Sequence, residues 1–152
     1  MEYSRSLSRL QRLCSKAEYC RADIYRKALR DLDGDAAEAA RLVDELIRDR
    51  YVDDARYARA FAREKASLQG WGPVKIRFQL RAKGVSDAVI TAALEEIEKA
   101  SADARLRRLL EAKTKTLEGD PQFRLKLLKF GLSRGYEYSQ VEDALCSVLR
   151  RD

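Results

Sequence analysis

Val74-Lys75-Ile76-Arg77-Phe78-Gln79-Leu80-Arg81 alternates strictly between apolar and polar side chains. That is the pattern of a half-buried strand, and the reading of this stretch decides the fold. Three observations make it a helix. Nothing else in the chain offers a convincing partner, and a lone strand leaves its backbone N–H and C=O groups unpaired. Val74–Phe78 and Ile76–Leu80 also stand four residues apart, as neighbours on a helix do. A counterpart further along, Phe123 to Leu132, has apolar residues at 123, 127, 128, 130 and 132 and reads better as helix. Pro73 suits the first helical position, where an N–H would have no partner. Gly84 and Gly135 stand where a C-terminal glycine stops each helix.

Working outward, the chain repeats itself weakly with a period near 49. Asp54-Ala55-Arg56 recurs as Asp103-Ala104-Arg105, and in the same register Tyr57 matches Leu106 and Arg59 matches Arg108. Leu7 and Arg9 are a fainter copy of Tyr57 and Arg59. Lys83-Gly84-Val85 pairs with Arg134-Gly135-Tyr136, and Ile90, Ala93 and Leu94 pair with Val141, Ala144 and Leu145. Pro73 and Pro121 each fall where a middle helix begins. These matches divide the chain into three repeats, 4–50, 54–99 and 103–150, each with room for three helices. The expectation is an all-α fold of about nine short helices in tandem three-helix repeats, forming an elongated, curved array. A single helical bundle is the alternative.

Local signals fill in the repeats. Leu7, Leu10 and Leu13 form one apolar stripe. Ser15 followed by Glu18 reads as a capping box opening a helix to about Leu32, which Asp33-Gly34-Asp35 ends. Ala37 to about Arg50 carries Leu42, Val43, Leu46 and Ile47 as a buried face. Asp54 can cap a helix with Tyr57, Ala58, Phe61 and Ala62 on one side, broken by Gly70-Trp71-Gly72.

Composition excludes several classes of function. The 152 residues include no histidine, which removes Ser-His-Asp and Cys-His machinery and every His-containing metal site. Cys14, Cys20 and Cys146 form no C-x-x-C pair and read as reduced, mostly buried thiols. There is no Walker A loop and no G-x-G-x-x-G. No stretch approaches the roughly 20 apolar residues of a membrane helix, and the N-terminus lacks a signal-peptide core. A cytoplasmic, non-enzymatic protein without cofactor or metal is expected, although Asp, Glu, Lys, Ser and Tyr can support chemistry without histidine.

The net charge is +6, and it is unevenly spread. Between Ala55 and Lys83 stand eight basic residues, Arg56, Arg59, Arg63, Lys65, Lys75, Arg77, Arg81 and Lys83, with Glu64 the one acid. That segment nets +7 and the rest of the chain −1. Arg56, Arg59 and Arg63 share a helix face, and Arg77 and Arg81 are an i,i+4 pair. Trp71 sits in the turn between the two helices. Such a patch could follow phosphates with Trp71 stacking on a base, or dock on an acidic protein. It could equally be a solvated face with Trp71 as a core anchor. Asp53-Asp54 resembles a carboxylate pair, but adjacent helical residues do not face each other, so one caps and the other stays solvated. Tyr51, Tyr57 and Tyr136 fall at joints between helices and read as packing residues with a hydrogen-bonding tip.

The ordered set Tyr51-Val52-Asp53-Asp54-Ala55-Arg56-Tyr57-Ala58-Arg59-Ala60-Phe61, then Gln69-Gly70-Trp71-Gly72, Lys75-Ile76 and Lys83-Gly84-Val85 resembles the core signature of the RecX family. Arg134-Gly135-Tyr136 resembles the family's last repeat, and Leu13-Cys14-Ser15 its N-terminal region. The first repeat departs, with Leu32-Asp33-Gly34-Asp35 in place of a Lys-Gly ending.

The resemblance implies a regulator of the RecA recombinase, acting in recombination, DNA repair and the SOS response. It implies tandem three-helix repeats lying along the groove of the RecA filament on single-stranded DNA. It also implies suppression of filament extension, of RecA's ATP hydrolysis and co-protease role, and of strand exchange. Some members bind DNA directly, so DNA, single-stranded or double-stranded, is an expected partner, with no membrane contact and a monomeric state. The expected contact residues are Arg56, Arg59, Arg63, Lys65, Trp71, Lys75, Arg77, Arg81 and Lys83. Two other readings stand beside it, a general helical nucleic-acid-binding module and a protein-interaction scaffold, neither dependent on RecA.

Overall fold

The computed structural model describes residues 1–150. Among them the chain forms nine α-helices and no strand. They are α1 Tyr3–Lys16, α2 Arg21–Asp31, α3 Ala36–Arg48, α4 Asp54–Ser67, α5 Pro73–Ala82, α6 Asp87–Glu95, α7 Lys99–Thr116, α8 Phe123–Ser133 and α9 Tyr138–Leu149. The all-α helical-repeat expectation holds. The alternating stretch is α5, and the helix period explains its alternation. Residues two apart lie about 200° apart around a helix, so the two i,i+4 pairs fall on opposite sides. Ile76 and Leu80 are fully buried, whereas Val74 and Phe78 are 51% and 69% exposed.

The helices condense into two compact units. The first comprises Met1–Ala60 and Leu80–Ile90. Its core joins Leu10, Ile24, Ala28, Leu42, Leu46 and Val52. Beside this core Ser6 donates to Asp31 (2.7 Å), which also accepts from Arg9 (2.8 Å). Burial alone would raise the Asp31 pKa, but these donors outweigh it and hold it low. The second unit comprises Phe61–Gln79 and the residues from Thr91 onward. Leu106, Leu110, Leu127, Tyr136, Val141 and Leu145 form a core there. Gly131 lets α8 and α9 approach closely, since a Cβ on it would lie 2.7 Å from Val141.

Each unit contains a joint between the first turn of one helix and the terminal turn of another. In the second unit the start of α5 lies on the turn after α8. Gly72 and Val74 donate their backbone N–H groups to the carbonyls of Arg134 and Gly135, both at 2.8 Å. A helix start leaves such donors without intrahelical partners, so the joint also caps α5. In the first unit the start of α2 lies on the turn after α5. There the Cys20 thiol donates to the Lys83 carbonyl (3.7 Å), Lys83 Nζ pairs with Asp23 (3.1 Å), and Gly84 faces Ala22. Gly84 and Gly135 take φ +81° and +92°. That left-handed geometry ends α5 and α8 as the sequence indicated.

Several local expectations are corrected. Ser15 opens no helix. It lies in the last turn of α1, its hydroxyl bonded to the Gln11 carbonyl (2.8 Å), and α2 begins only at Arg21. The Arg21 N–H is taken by Asp54 (2.7 Å), so the acid expected to cap α4 caps α2 instead. Asp53 caps α4, accepting from Ala55 (2.9 Å) and Arg56 (3.2 Å). Ile47 lies at the edge of its face, 36% exposed. Pro121 precedes the first residue of α8 by two positions. Of the thiols only Cys20 is buried. Cys14 is half-buried and Cys146 exposed.

Candidate interaction surfaces

The nine residues expected to make contacts divide between the units. Arg56, Arg59, Arg81 and Lys83 belong to the first. Arg56 Nε bonds Glu18 Oε2 at 2.5 Å, and the same guanidinium donates to the Tyr51 carbonyl (3.2 Å). The Glu18 hydrogen bond raises the Arg56 pKa further. Arg81 pairs with Asp87 at 2.6 Å, and Lys83 is held in the α2 joint. Arg56, Arg81 and Lys83 therefore carry acidic partners within the chain, and Arg59 is half-buried. Tyr57 packs near the same joint. Its pKa is pushed up to about 12, by burial first, then by Cys20 and by the carboxylates of Asp23 and Asp54.

Arg63, Lys65, Trp71, Lys75 and Arg77 belong to the second unit. Arg63 is exposed. Lys65 and Lys75 place their ammonium groups 5.0 and 4.5 Å from the centroid of the Trp71 ring. Phe61 meets the same indole edge-on at 6.2 Å. Trp71 thus gathers two cations in a cation–π cluster, and its half-buried ring is already in contact with them. Arg77 donates to Thr91 Oγ1 (3.0 Å).

Periodicity alone did not identify the apolar part of this surface. Leu68, Val74 and Phe78 are 79%, 51% and 69% exposed. Val74 and Phe78 share a face of α5, and all three belong to the second unit. An exposed apolar pair on one helix face makes that face a candidate contact surface. The strict alternation of α5 was the available signal, since on a helix it requires two opposed apolar faces.

A cavity of about 160 Å³ lies elsewhere in the second unit, lined by Trp71, Pro73, Ile76, Arg105, Tyr136 and Gln140 among others. Tyr136 is 3% exposed. Its hydroxyl and Arg105 Nε are buried and belong to neighbouring side chains, and neither has a partner in good hydrogen-bond geometry. Burial raises the Tyr136 pKa, and the neighbouring Arg105 draws it part of the way back. Among the described residues, no cluster of three or more cysteine and carboxylate side chains could hold a metal ion, and no helix is long and apolar enough to cross a membrane.

Residues 53–94 match the family model of RecX, second three-helix domain. The regulatory protein RecX of Chromohalobacter salexigens is 36% identical over 138 residues, which cover 88% of this chain and 86% of that relative. The chain belongs to the RecX family. The regulatory protein RecX of Bacillus mycoides is 31% identical over 119 residues, covering 77% of this chain but 44% of that longer relative. The crystal structure of RecX from Lactobacillus salivarius superposes with a TM-score of 0.86 at 20% identity, over 96% of both chains. A further crystal structure, of regulatory protein RecX, gives 0.83 at 22% identity, over 92% of this chain and 70% of that one. The RecX match covers α4 and α5, so the basic segment and the exposed Val74–Phe78 pair both lie within the matched domain.

Proposed function

We propose that this RecX chain is a non-enzymatic, cytoplasmic regulator of the RecA recombinase. It acts as a monomer on the RecA filament assembled on single-stranded DNA and suppresses filament extension, ATP hydrolysis and strand exchange. Of three repeats, 4–50, 54–99 and 103–150, the second presents the contact residues. Family membership supports the regulatory role. The observation that carries the contact reading is the α5 face, where exposed Val74 and Phe78 stand beside the cations Lys75 and Arg77. An apolar pair flanked by positive charge suits a protein surface that is itself acidic or bound to phosphate.

The test is RecA's ATPase on single-stranded DNA, titrated with this protein. Inhibition is expected, and Val74→Ser with Phe78→Ser should raise the concentration required at least about tenfold, the scale of a lost apolar anchor. Unchanged ATPase and strand exchange at excess protein would sink the reading. A RecA-independent nucleic-acid-binding module is the second reading, favoured by the cations Arg63, Lys65, Lys75 and Arg77 in one unit. It requires DNA affinity in the absence of RecA that falls steeply with salt.

A further inference from the structure

We infer that the cavity beside Trp71 is a receptor for one pyrimidine base of a single-stranded nucleic acid, with Arg105 Nε and Tyr136 Oη hydrogen-bonding its carbonyl edge. This goes beyond regulation of RecA and does not depend on it. Size comes first. A pocket of about 160 Å³ is on the scale of the roughly 150 Å³ that accepts a benzene ring, so it has room for one six-membered ring. Polarity comes second. Arg105 Nε is a donor and Tyr136 Oη can donate; the two side chains are neighbours, and neither buried atom has a partner in good hydrogen-bond geometry. Such groups require a partner, and an acceptor-bearing occupant would satisfy both in place of water. Benzene-like side chains of a protein offer no pair of ring acceptors, whereas a pyrimidine carries O2 and, in thymine or uracil, O4.

Charge comes third. Lys99 also lines the cavity, and Lys65 and Lys75 stand over the indole that forms part of its wall. These ammonium groups suit the phosphates flanking an inserted base. The remaining lining is largely apolar, with Pro73 and Ile76 against the ring, as base recognition out of the stack requires.

Trp71 is the one tryptophan in the chain, so its fluorescence reports the cavity directly. The full chain is titrated at low salt with a dT12 oligonucleotide, a dA12 oligonucleotide and an abasic 12-mer of equal charge. The expected result is a Trp71 fluorescence change with dT12 and at least about fivefold tighter binding of dT12 than of the other two. In Tyr136→Phe and Arg105→Gln that preference should fall below about twofold, with abasic binding unchanged. Phenylalanine keeps the ring packing of Tyr136 and removes an unpartnered hydroxyl, so this variant folds, and circular dichroism checks it. Equal affinity for dT12 and the abasic strand overturns the inference, as does a preference that survives both substitutions. Equal binding of dA12 overturns the single-ring assignment. Competition by inorganic phosphate that abolishes the dT12 preference shows an anion site instead. None of these outcomes requires RecA, so the ATPase result and this one fail separately.

Discussion

The two helix-start joints do the same work with different chemistry. At the α5 start, backbone meets backbone. Two N–H groups reach two carbonyls, and a Cβ on Gly72 would lie 2.4 Å from the Gly135 carbonyl oxygen. At the α2 start, side chains bridge a looser approach. A thiol, an ammonium–carboxylate pair and an alanine methyl 3.6 Å from the position of a Cβ on Gly84 make the contact. The same turn position, a basic residue followed by glycine, serves both. The difference shows that the Lys-Gly and Arg-Gly pairs are receiving turns whose glycine is under unequal steric demand. Lys83 acts through its carbonyl and its charge, Arg134 through its carbonyl. Lys83 was read as a candidate contact for a partner, yet it is paired with Asp23 across the joint.

Glycine substitutions break this comparison most directly. Gly135→Ala combines a left-handed backbone with a Cβ 2.2 Å from that of Lys75. It should cost about 3 kcal/mol, the sum of the left-handed penalty and overpacking. By calorimetry that is a fall in Tm of roughly 6–12 °C for a chain of this size. Gly84→Ala keeps the backbone penalty but meets Ala22 at ordinary contact distance, so about 1 kcal/mol is expected. Gly34 has φ +85° and no atom near its missing Cβ, so Gly34→Ala serves as the reference and should match Gly84→Ala. Equal losses at Gly34 and Gly135 would show that the tight joint adds no steric demand.

Smaller effects sharpen the contrast. Lys83→Met removes a partly solvated ion pair and should cost less than about 1 kcal/mol, with the difference shrinking in high salt. Arg134→Met contributes only its unchanged carbonyl to its joint and should leave the α5 start in place, as read from the amide shifts of Gly72 and Val74. Acid should separate the joints as well. Burial would raise the Asp23 pKa, but the Lys83 and Cys20 hydrogen bonds bring it below the ordinary 3.8. A carboxylate with a depressed folded pKa stabilises the fold fully above its unfolded value, and that contribution is lost as pH falls through the folded one. As the pH falls below 3.8 the amide resonances of Ala22 and Gly84 should therefore shift, while those of Gly72 and Val74 hold.

Much of this architecture was legible from residue order. The Pro73–Gly84 bracket placed α5 to within two residues of its observed end. The pairing of Lys83-Gly84 with Arg134-Gly135 named two turns that turned out to be equivalent. Ser15 misled because a hydroxyl followed by an acid is a cap only when the chain before it is not already helical. Here the apolar stripe Leu7, Leu10, Leu13 carried α1 past it to Lys16. Asp53 and Asp54 were separable in kind but not in assignment, because the donor that selects Asp54 is Arg21, on another helix. Of the candidate site, the basic residues were visible and their partners Glu18, Asp23 and Asp87 were not, since long-range pairs leave no local pattern. Tyr136 was read as a packing residue with a polar tip. That its tip lies buried without a partner beside Arg105 is a property of three-dimensional packing alone.

The amides of Gly72 and Val74 carry a further consequence, for the order in which the molecule opens. The first residues of a helix ordinarily fray and exchange their protons with solvent fastest. Here those protons are held by carbonyls at the far end of α8, so they are released only when two segments distant in sequence part company. Their exchange rates should track those of the last turn of α8 rather than those of the residues beside them. In a protein whose helices are short and whose stability is assembled from neighbours, such a pair of protons is a built-in clock for cooperative unfolding.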